Sequence, residues 1–250
     1  MFVWTPDMVR FLKDASEYTA YYEALAQKVA AHLDLRSHVC DAGCGLGYLS
    51  LALAKRFSFV SAVDVSPLAL SVLQGNANAQ HVNNLEIVEG DVFCKAPKTH
   101  YDAMIFCFFG RTDEALRIAK LQCHGKAVII KKNWETHRFD LGGAPIGSHT
   151  FSSAVNELTE WGIPYKSETF ALEFGQPFAT LEDAQLFFQV YAKSGEAQNV
   201  SPEEAQKHLV RTADKAYPYY LPSLKKMGML VVDTGDIPDD IHKKMLGEQE

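Results

Sequence analysis

The sequence predicts an α/β fold in which a doubly wound parallel sheet carries helices on both faces. Three observations predict it. Short apolar or β-branched runs alternate with segments of helical period across residues 37–132. Some of those runs, such as Ala103-Met104-Ile105-Phe106, are apolar throughout, as strands covered on both faces must be. A turn with three glycines, Gly43-Cys44-Gly45-Leu46-Gly47, joins the first run to the helix after it.

Residues 1–35 have helical spacing, with Tyr18, Tyr21, Tyr22, Leu25, Val29 and Leu33 three or four apart. Residues 37–41 form a first strand, 49–56 a helix, and 57–63 a second strand. Ser66-Pro67 starts a helix that runs to about Gln80, with Ser as N-cap and Pro in the first turn. Residues 85–88 and 101–106 are the third and fourth strands. Thr112 opens a helix that His124-Gly125 is expected to end, and 126–131 is the fifth strand. The last third is less regular. It reads as a helix over 152–161 ended by Gly162, a strand over 165–174, helices over 181–192 and 201–212, and a strand over 229–233.

Composition narrows the function classes. The chain has 250 residues, 47% of them hydrophobic, and carries 24 Lys plus Arg against 31 Asp plus Glu. That apolar content excludes a disordered chain. A net charge of −7 argues against a surface built to neutralise many phosphates, so nucleic acid is an unfavoured partner. No stretch approaches the roughly 18 apolar residues of a membrane helix, and no membrane partner is expected. The Met1–Asp7 segment has no basic region leading into an apolar core, so no secretory signal is expected. Cys40, Cys44, Cys94, Cys107 and Cys123 are odd in number and sit mostly in apolar runs, which points to reduced thiols and a cytoplasmic location. No spacing of ligands suggests a metal. The oligomeric state is not encoded in any recognisable pattern.

Four carboxylate or glycine features mark a ligand site. Gly43, Gly45 and Gly47 let the backbone turn tightly and a ligand approach closely. Asp64 ends the second strand about 20 residues later. It has two readings, an acceptor for both ribose hydroxyls of a nucleoside or a charge at the start of the next helix. Asp91, in Glu89-Gly90-Asp91-Val92, is placed either to accept from an adenine amino group or to serve as an ordinary turn residue. Asp41 discriminates between cofactors. A dinucleotide would set its pyrophosphate against this turn, and a carboxylate there would repel it. An ammonium group would be attracted. The Gly43-x-Gly45-x-Gly47 spacing also differs from the G-x-G-x-x-G of nicotinamide enzymes.

These segments resemble the motifs of class I S-adenosylmethionine-dependent methyltransferases, in order and in spacing. Val39-Cys40-Asp41-Ala42-Gly43-Cys44-Gly45-Leu46-Gly47 is similar to the first motif. Ala62-Val63-Asp64-Val65-Ser66 is similar to the second, Glu89-Gly90-Asp91-Val92 to the third and Tyr101-Asp102-Ala103-Met104-Ile105 to the fourth. The resemblance covers residues 37–132. It implies a Rossmann-like, mostly parallel seven-stranded sheet with one reversed strand near an edge, and S-adenosyl-L-methionine as cofactor. It further implies that Asp41 and the backbone of Gly43, Cys44 and Gly45 hold the methionine end. Asp64 would take the ribose, Val65 would pack on adenine, and Asp91 with Val92 would read its edge. Some relatives lay an N-terminal helix over the cofactor, which makes Tyr21, with Tyr18 and Tyr22, a further candidate. Aromatic packing within the helical segment is the other reading of these tyrosines.

The expected organisation is an N-terminal helical cap over 1–36, a cofactor-binding core over 37–175, and a helical insertion with the last strand of the same domain over 176–250. The tail and the N-terminal helices are expected to cover the acceptor. Methyl transfer from a sulfonium asks mainly for alignment and exclusion of water, so no catalytic side chain is assigned. Phe108 and Phe109, after the fourth strand, line either an apolar pocket or the core. Family members that methylate base amino groups or glutamine amides often carry Asn or Asp followed by two prolines at that place, and this chain has neither. Lys131-Lys132-Asn133-Trp134, His137 and His149 are further positions that either face the acceptor or lie in solvent. The expected activity is methyl transfer to a small-molecule acceptor. The alternatives are a nucleic-acid or protein methyltransferase on the same fold, an NAD-dependent oxidoreductase, and a protein that binds the cofactor without transferring from it.

Overall fold

The computed structural model describes residues 3–94, 97–134, 147, 149–191, 200–239 and 241. The elements in chain order are α1 (Pro6–Tyr18), α2 (Tyr21–Ala30), β1 (His38–Ala42), α3 (Tyr48–Ala54), β2 (Phe59–Asp64) and α4 (Pro67–Ala79). Next come β3 (Leu85–Glu89), β4 (Tyr101–Cys107), α5 (Thr112–Gln122), β5 (Cys123–Lys132), α6 (Phe151–Glu160) and β6 (Lys166–Glu173). The chain continues through β7 (Gln176–Phe178), α7 (Leu181–Tyr191), α8 (Pro202–Gln206), β8 (Val210–Arg211), β9 (Tyr219–Leu221) and β10 (Leu224–Asp233).

Seven strands form one mostly parallel Rossmann-like sheet in the order β3-β2-β1-β4-β5-β10-β6. β3, β2, β1, β4 and β5 pair in parallel, and β10 runs antiparallel to β5. β10 is the reversed strand that the motif resemblance implied. Because the first five strands are parallel, Ala42, Asp64, Glu89, Cys107 and Lys132 all end at one edge of the sheet. Strand order reverses between β1 and β4, the place where open α/β sheets bind ligands.

The chain divides into two compact units. The first is built on the β1–β5 segment from Tyr22 to Asn133, with Ser148–Phe170 and the chain from Met227. Its strands alternate inward residues between two helix layers. Ala62 packs with Leu51, Leu70, Leu73 and Ala77, while Val63 packs with Met104, Phe106, Leu116 and Leu158 on the other face. The second unit joins α1 to Ala171–Lys226. α1 starts at the N-cap Thr5, whose hydroxyl accepts from the Met8 N–H at 3.3 Å, with Pro6 in the first turn. Phe11 is buried from that helix. Its ring lies edge-on to Phe178 and Phe187 at centroid distances of 6.3 and 5.1 Å.

Several sequence expectations need correction. The helical N-terminal stretch is two helices, because Thr19 leaves the helical conformation and turns its N–H and hydroxyl back on Ala15 O. Gly125 does not end α5. It lies inside β5, where a Cβ would come within 2.1 Å of the Asp102 carbonyl oxygen on β4. The register between β4 and β5 shifts there, so the glycine serves a close backbone approach. The helix expected over 201–212 stops at Gln206, and the following Val210–Arg211 pairs with β9. The late strand is longer than expected, Leu224–Asp233. The small antiparallel sheet β7-β9-β8 was not foreseen. Its strands have three residues or fewer, and Pro177 in β7 argues against a strand.

α4 offers a simple check on the helix. A Cβ at Gly75 meets nothing within 4 Å, and its φ is not in the left-handed range. Gly75→Ala is expected to raise stability by about 0.5–1 kcal/mol in urea denaturation, since only backbone entropy is at issue.

Candidate functional site

The glycine loop is shaped by backbone bonds that a side chain would block. Gly43, Gly45 and Gly47 have φ of +69°, +55° and +73°. The N–H groups of Gly43 and Cys44 both donate to Val63 O, at 2.8 and 3.1 Å, which ties the loop to the end of β2. A Cβ on Gly47 would meet Leu73 Cδ1 at 2.3 Å, so α4 packs directly on the turn. A Cβ on Gly43 would meet the Phe109 ring at 2.1 Å.

Asp64 closes the loop from the β2 side. Its Oδ2 accepts the Gly45 N–H at 2.8 Å, and its Oδ1 accepts the Ser66 N–H at 2.9 Å. Ser66 in turn caps α4 through its hydroxyl, which accepts the Ala69 N–H. Asp41, on β1, is 2% exposed. Its Oδ2 accepts the Ser50 hydroxyl at 2.6 Å. Burial, with the nearby Asp64 carboxylate adding repulsion, pushes the Asp41 carboxyl up to about 6 against the pull of the Ser50 bond. Ser50 was missed in the sequence. Its signal is that it is the one polar side chain between Leu49 and Ala54.

At the third strand, Asp91 turns its carboxylate inward on its own loop, where Oδ1 accepts the Phe93 N–H at 2.9 Å. Val92 is buried, and its carbonyl accepts from the Gln122 amide at 2.7 Å. Around these strand ends, Val65, Leu68 and Phe93 are large apolar residues left exposed. A glycine turn, the carboxylates of Asp41, Asp64 and Asp91, and an apolar fringe thus gather at the carboxyl edge of β1–β3.

Residues 22–107 match the family model described as the methyltransferase small domain. The ubiquinone biosynthesis O-methyltransferase of Coxiella burnetii is 27% identical over 141 residues, which are 50% of this chain and 60% of that protein. The tRNA1(Val) (adenine(37)-N6)-methyltransferase of Aliivibrio salmonicida is 37% identical over 78 residues, 30% of this chain and 33% of that protein. The solved structure of the YcgJ protein from Bacillus subtilis superposes with a TM-score of 0.54 at 14% identity, over 84% of this chain and 97% of that one. Residues 22–107, about a third of the chain, thus resemble a methyltransferase domain. Its matches reach only part of the curated relatives, 60% of the Coxiella protein's length.

S-adenosylmethionine is the methyl donor that the matched methyltransferase domain implies. The motif residues Asp41, Gly43, Cys44, Gly45, Asp64, Val65, Asp91 and Val92 lie together in the first unit, at the carboxyl edge of the sheet. Tyr21 is elsewhere. It is 2% exposed and stacks on Phe174 with a centroid distance of 4.3 Å, and Lys225 lies over both rings in the second unit. Tyr22 stacks on Tyr48, the first residue of α3.

The loop after β4 carries no carboxamide or carboxylate between Cys107 and Gly110. Phe108 has φ +54°, a costly value for a residue with a side chain, and its N–H donates to Ile130 O at 3.0 Å. Lys131 is 3% exposed, and its ammonium donates to Gly110 O at 2.6 Å. Burial lowers its proton affinity. Lys132, Asn133 and Trp134 are half-buried, and His149 is exposed. His137 lies outside the described residues. Among the described residues no three His, Cys, Asp or Glu side chains are grouped to hold a metal, and no helix is long and apolar enough to cross a membrane.

Proposed function

We propose that this chain binds S-adenosylmethionine at the glycine loop and transfers its methyl group to a small-molecule acceptor. The observation that carries the reading is the buried Asp41 carboxylate beside Asp64. A carboxylate out of water, in the repulsive field of a second, calls for a cation rather than a phosphate. The α-ammonium of the methionine part is that cation, and the glycine backbone leaves room for it.

In this reading Asp41 holds the ammonium, with the backbone of Gly43, Cys44 and Gly45 along the methionine part. Asp64 accepts the ribose hydroxyls with the lone pairs its two backbone bonds leave free. Val65, with Leu68 and Phe93, packs on adenine, and Asp91 with Val92 reads its edge. The reading has no need of Tyr21, whose ring is occupied by Phe174. When bound, the cofactor supplies a methyl group on an already activated sulfonium. The residues of the chain contribute orientation and a water-poor wall, Phe108 and Phe109 above all, and no general base is assigned.

The small-molecule reading rests on the loop after β4. An amino group on a base is gripped by polar side chains, and Cys107-Phe108-Phe109-Gly110 has none suited to it. The acidic sum of charges supports the same side. The relatives divide, one named for ubiquinone biosynthesis and one for a tRNA adenine, so a methyl-transfer screen with both kinds of acceptor is the deciding assay. All five cysteines are free thiols, which supports action in a reducing cytoplasm.

Calorimetry with S-adenosylmethionine, S-adenosylhomocysteine and NAD tests the cofactor. Binding of the first two and not of NAD is expected; the reverse pattern sinks the proposal. Asp64→Ala is expected to weaken S-adenosylmethionine binding by about 1–3 kcal/mol, as loss of a charged hydrogen-bond acceptor does. Unchanged affinity in that variant would remove Asp64 from the ribose.

A further inference from the structure

The turn after β4 is held in a conformation that its own sequence disfavours. Phe108 sits in the left-handed region at φ +54°, and Gly110 follows at +63°. A phenylalanine there costs energy that neighbouring contacts must offset. Two contacts do so, both from β5. Ile130 O accepts the Phe108 N–H at 3.0 Å, and the Lys131 ammonium donates to Gly110 O at 2.6 Å. Between these two tethers stands Phe109, whose ring fills the space a side chain on Gly43 would need. It packs partly buried against the core, 6.1 Å from the Phe93 ring.

The Lys131 contact is unusual in kind. A lysine buried as Lys131 is normally meets a carboxylate. This one directs its hydrogen bond to a main-chain carbonyl, while Glu157, Glu114 and Asp113 supply a negative field around it. The buried Glu157 Oε2 accepts no hydrogen bond. Lys131 is thus committed to fixing the turn.

We propose that Lys131 is a positioning residue, which latches the Phe108–Gly110 turn so that the Phe109 ring forms a fixed wall of the cofactor cleft against Gly43. This rests on the S-adenosylmethionine reading given above. A preformed wall presents an apolar, rigid surface to the ligand, and the ligand then has no loop to order on binding.

A double-mutant cycle on S-adenosylhomocysteine affinity, measured by calorimetry, tests the latch. Lys131→Met and Phe109→Ala are each expected to weaken binding about tenfold. Because Lys131 acts through Phe109, the double variant is expected to bind no worse than Phe109→Ala alone. Lys131→Arg, which keeps a donor, is expected to recover most of the loss. Thermal unfolding without ligand separates this from a general loss of stability, which would leave the two effects multiplying. Multiplying effects, or a Lys131→Met variant with wild-type affinity, overturn the proposal. A second measurement needs no substitution. In the ligand-free wild-type protein the Phe108 amide is expected to exchange with solvent at least about a hundredfold more slowly than an unstructured amide. Exchange at the unstructured rate overturns the latch as well. A wild-type protein that binds no S-adenosylhomocysteine would instead sink the cofactor reading and leave the exchange result to judge the turn itself.

Discussion

Gly43→Ala is expected to lower folding stability by about 2–5 kcal/mol and to remove measurable S-adenosylmethionine binding. Two separate effects add. The backbone at φ +69° is left-handed, and a Cβ there costs about 1–2 kcal/mol. The same Cβ would stand 2.1 Å from the Phe109 ring, and crowding of that kind costs about 1–3 kcal/mol more. Relief by swinging the ring away would spoil the wall of the cleft, so binding suffers even where folding survives. Urea denaturation and calorimetry on one preparation measure both. A Gly43→Ala protein within about 0.5 kcal/mol of wild type, binding normally, would show that the turn is softer than the structure makes it. Gly75→Ala, expected to move stability in the opposite direction, is the internal control.

S-adenosylmethionine affinity is expected to climb between about pH 5 and pH 7 and to level off above. The cause is Asp41, whose carboxyl is held up to about 6 by burial and by Asp64. Below that pH the group is neutral and offers an ammonium little. Above it the carboxylate is ionised, and the ligand's cation removes the penalty that burial imposes. The free protein should show the opposite trend. An acid with a raised value in the fold loses its proton earlier when unfolded, so the Asp41 contribution to stability falls as pH rises from about 4 to about 6. Asp41→Asn is expected to flatten both profiles and to weaken binding at pH 8 by about tenfold or more. Methylthioadenosine, which lacks the amino-acid part, should bind with little pH dependence in this window. A climb of equal size for methylthioadenosine would show that another group titrates.

The cofactor half was legible because its chemistry constrains its sequence. A left-handed turn asks for glycine, and Gly43, Gly45 and Gly47 announce it. Strands buried on both faces ask for unbroken apolar runs, and β4 supplies one. The carboxylates at the strand ends are spaced by the β-α-β repeat itself. The rest obeys weaker rules. Gly125 read as a helix end because glycine there serves two purposes, capping a helix or admitting a neighbouring backbone, and sequence does not distinguish them. The small sheet escaped because strands of three residues show no period, and Pro177 masks one of them; the aromatic run Tyr217-Pro218-Tyr219-Tyr220 was the signal available. Phe108 carried no signal, since its backbone strain is imposed by Ile130 and Lys131 from another strand.

The burial of Phe11 between Phe178 and Phe187 has a consequence for synthesis. α1 leaves the ribosome well before the residues that cover its apolar face, which lie about 170 positions later. At about 5–20 residues per second the helix waits on the order of ten to thirty seconds for its partners. Through that interval a short amphipathic segment has no tertiary contact to hold it helical and presents Phe11 to whatever surrounds the nascent chain. The β1–β5 segment waits less, since most of its strands pair with sequence neighbours and β1 with β4 about 65 residues on. The β1–β5 segment and the second unit therefore differ in contact order, and the second unit should be the slower to form and the one that most occupies chaperones.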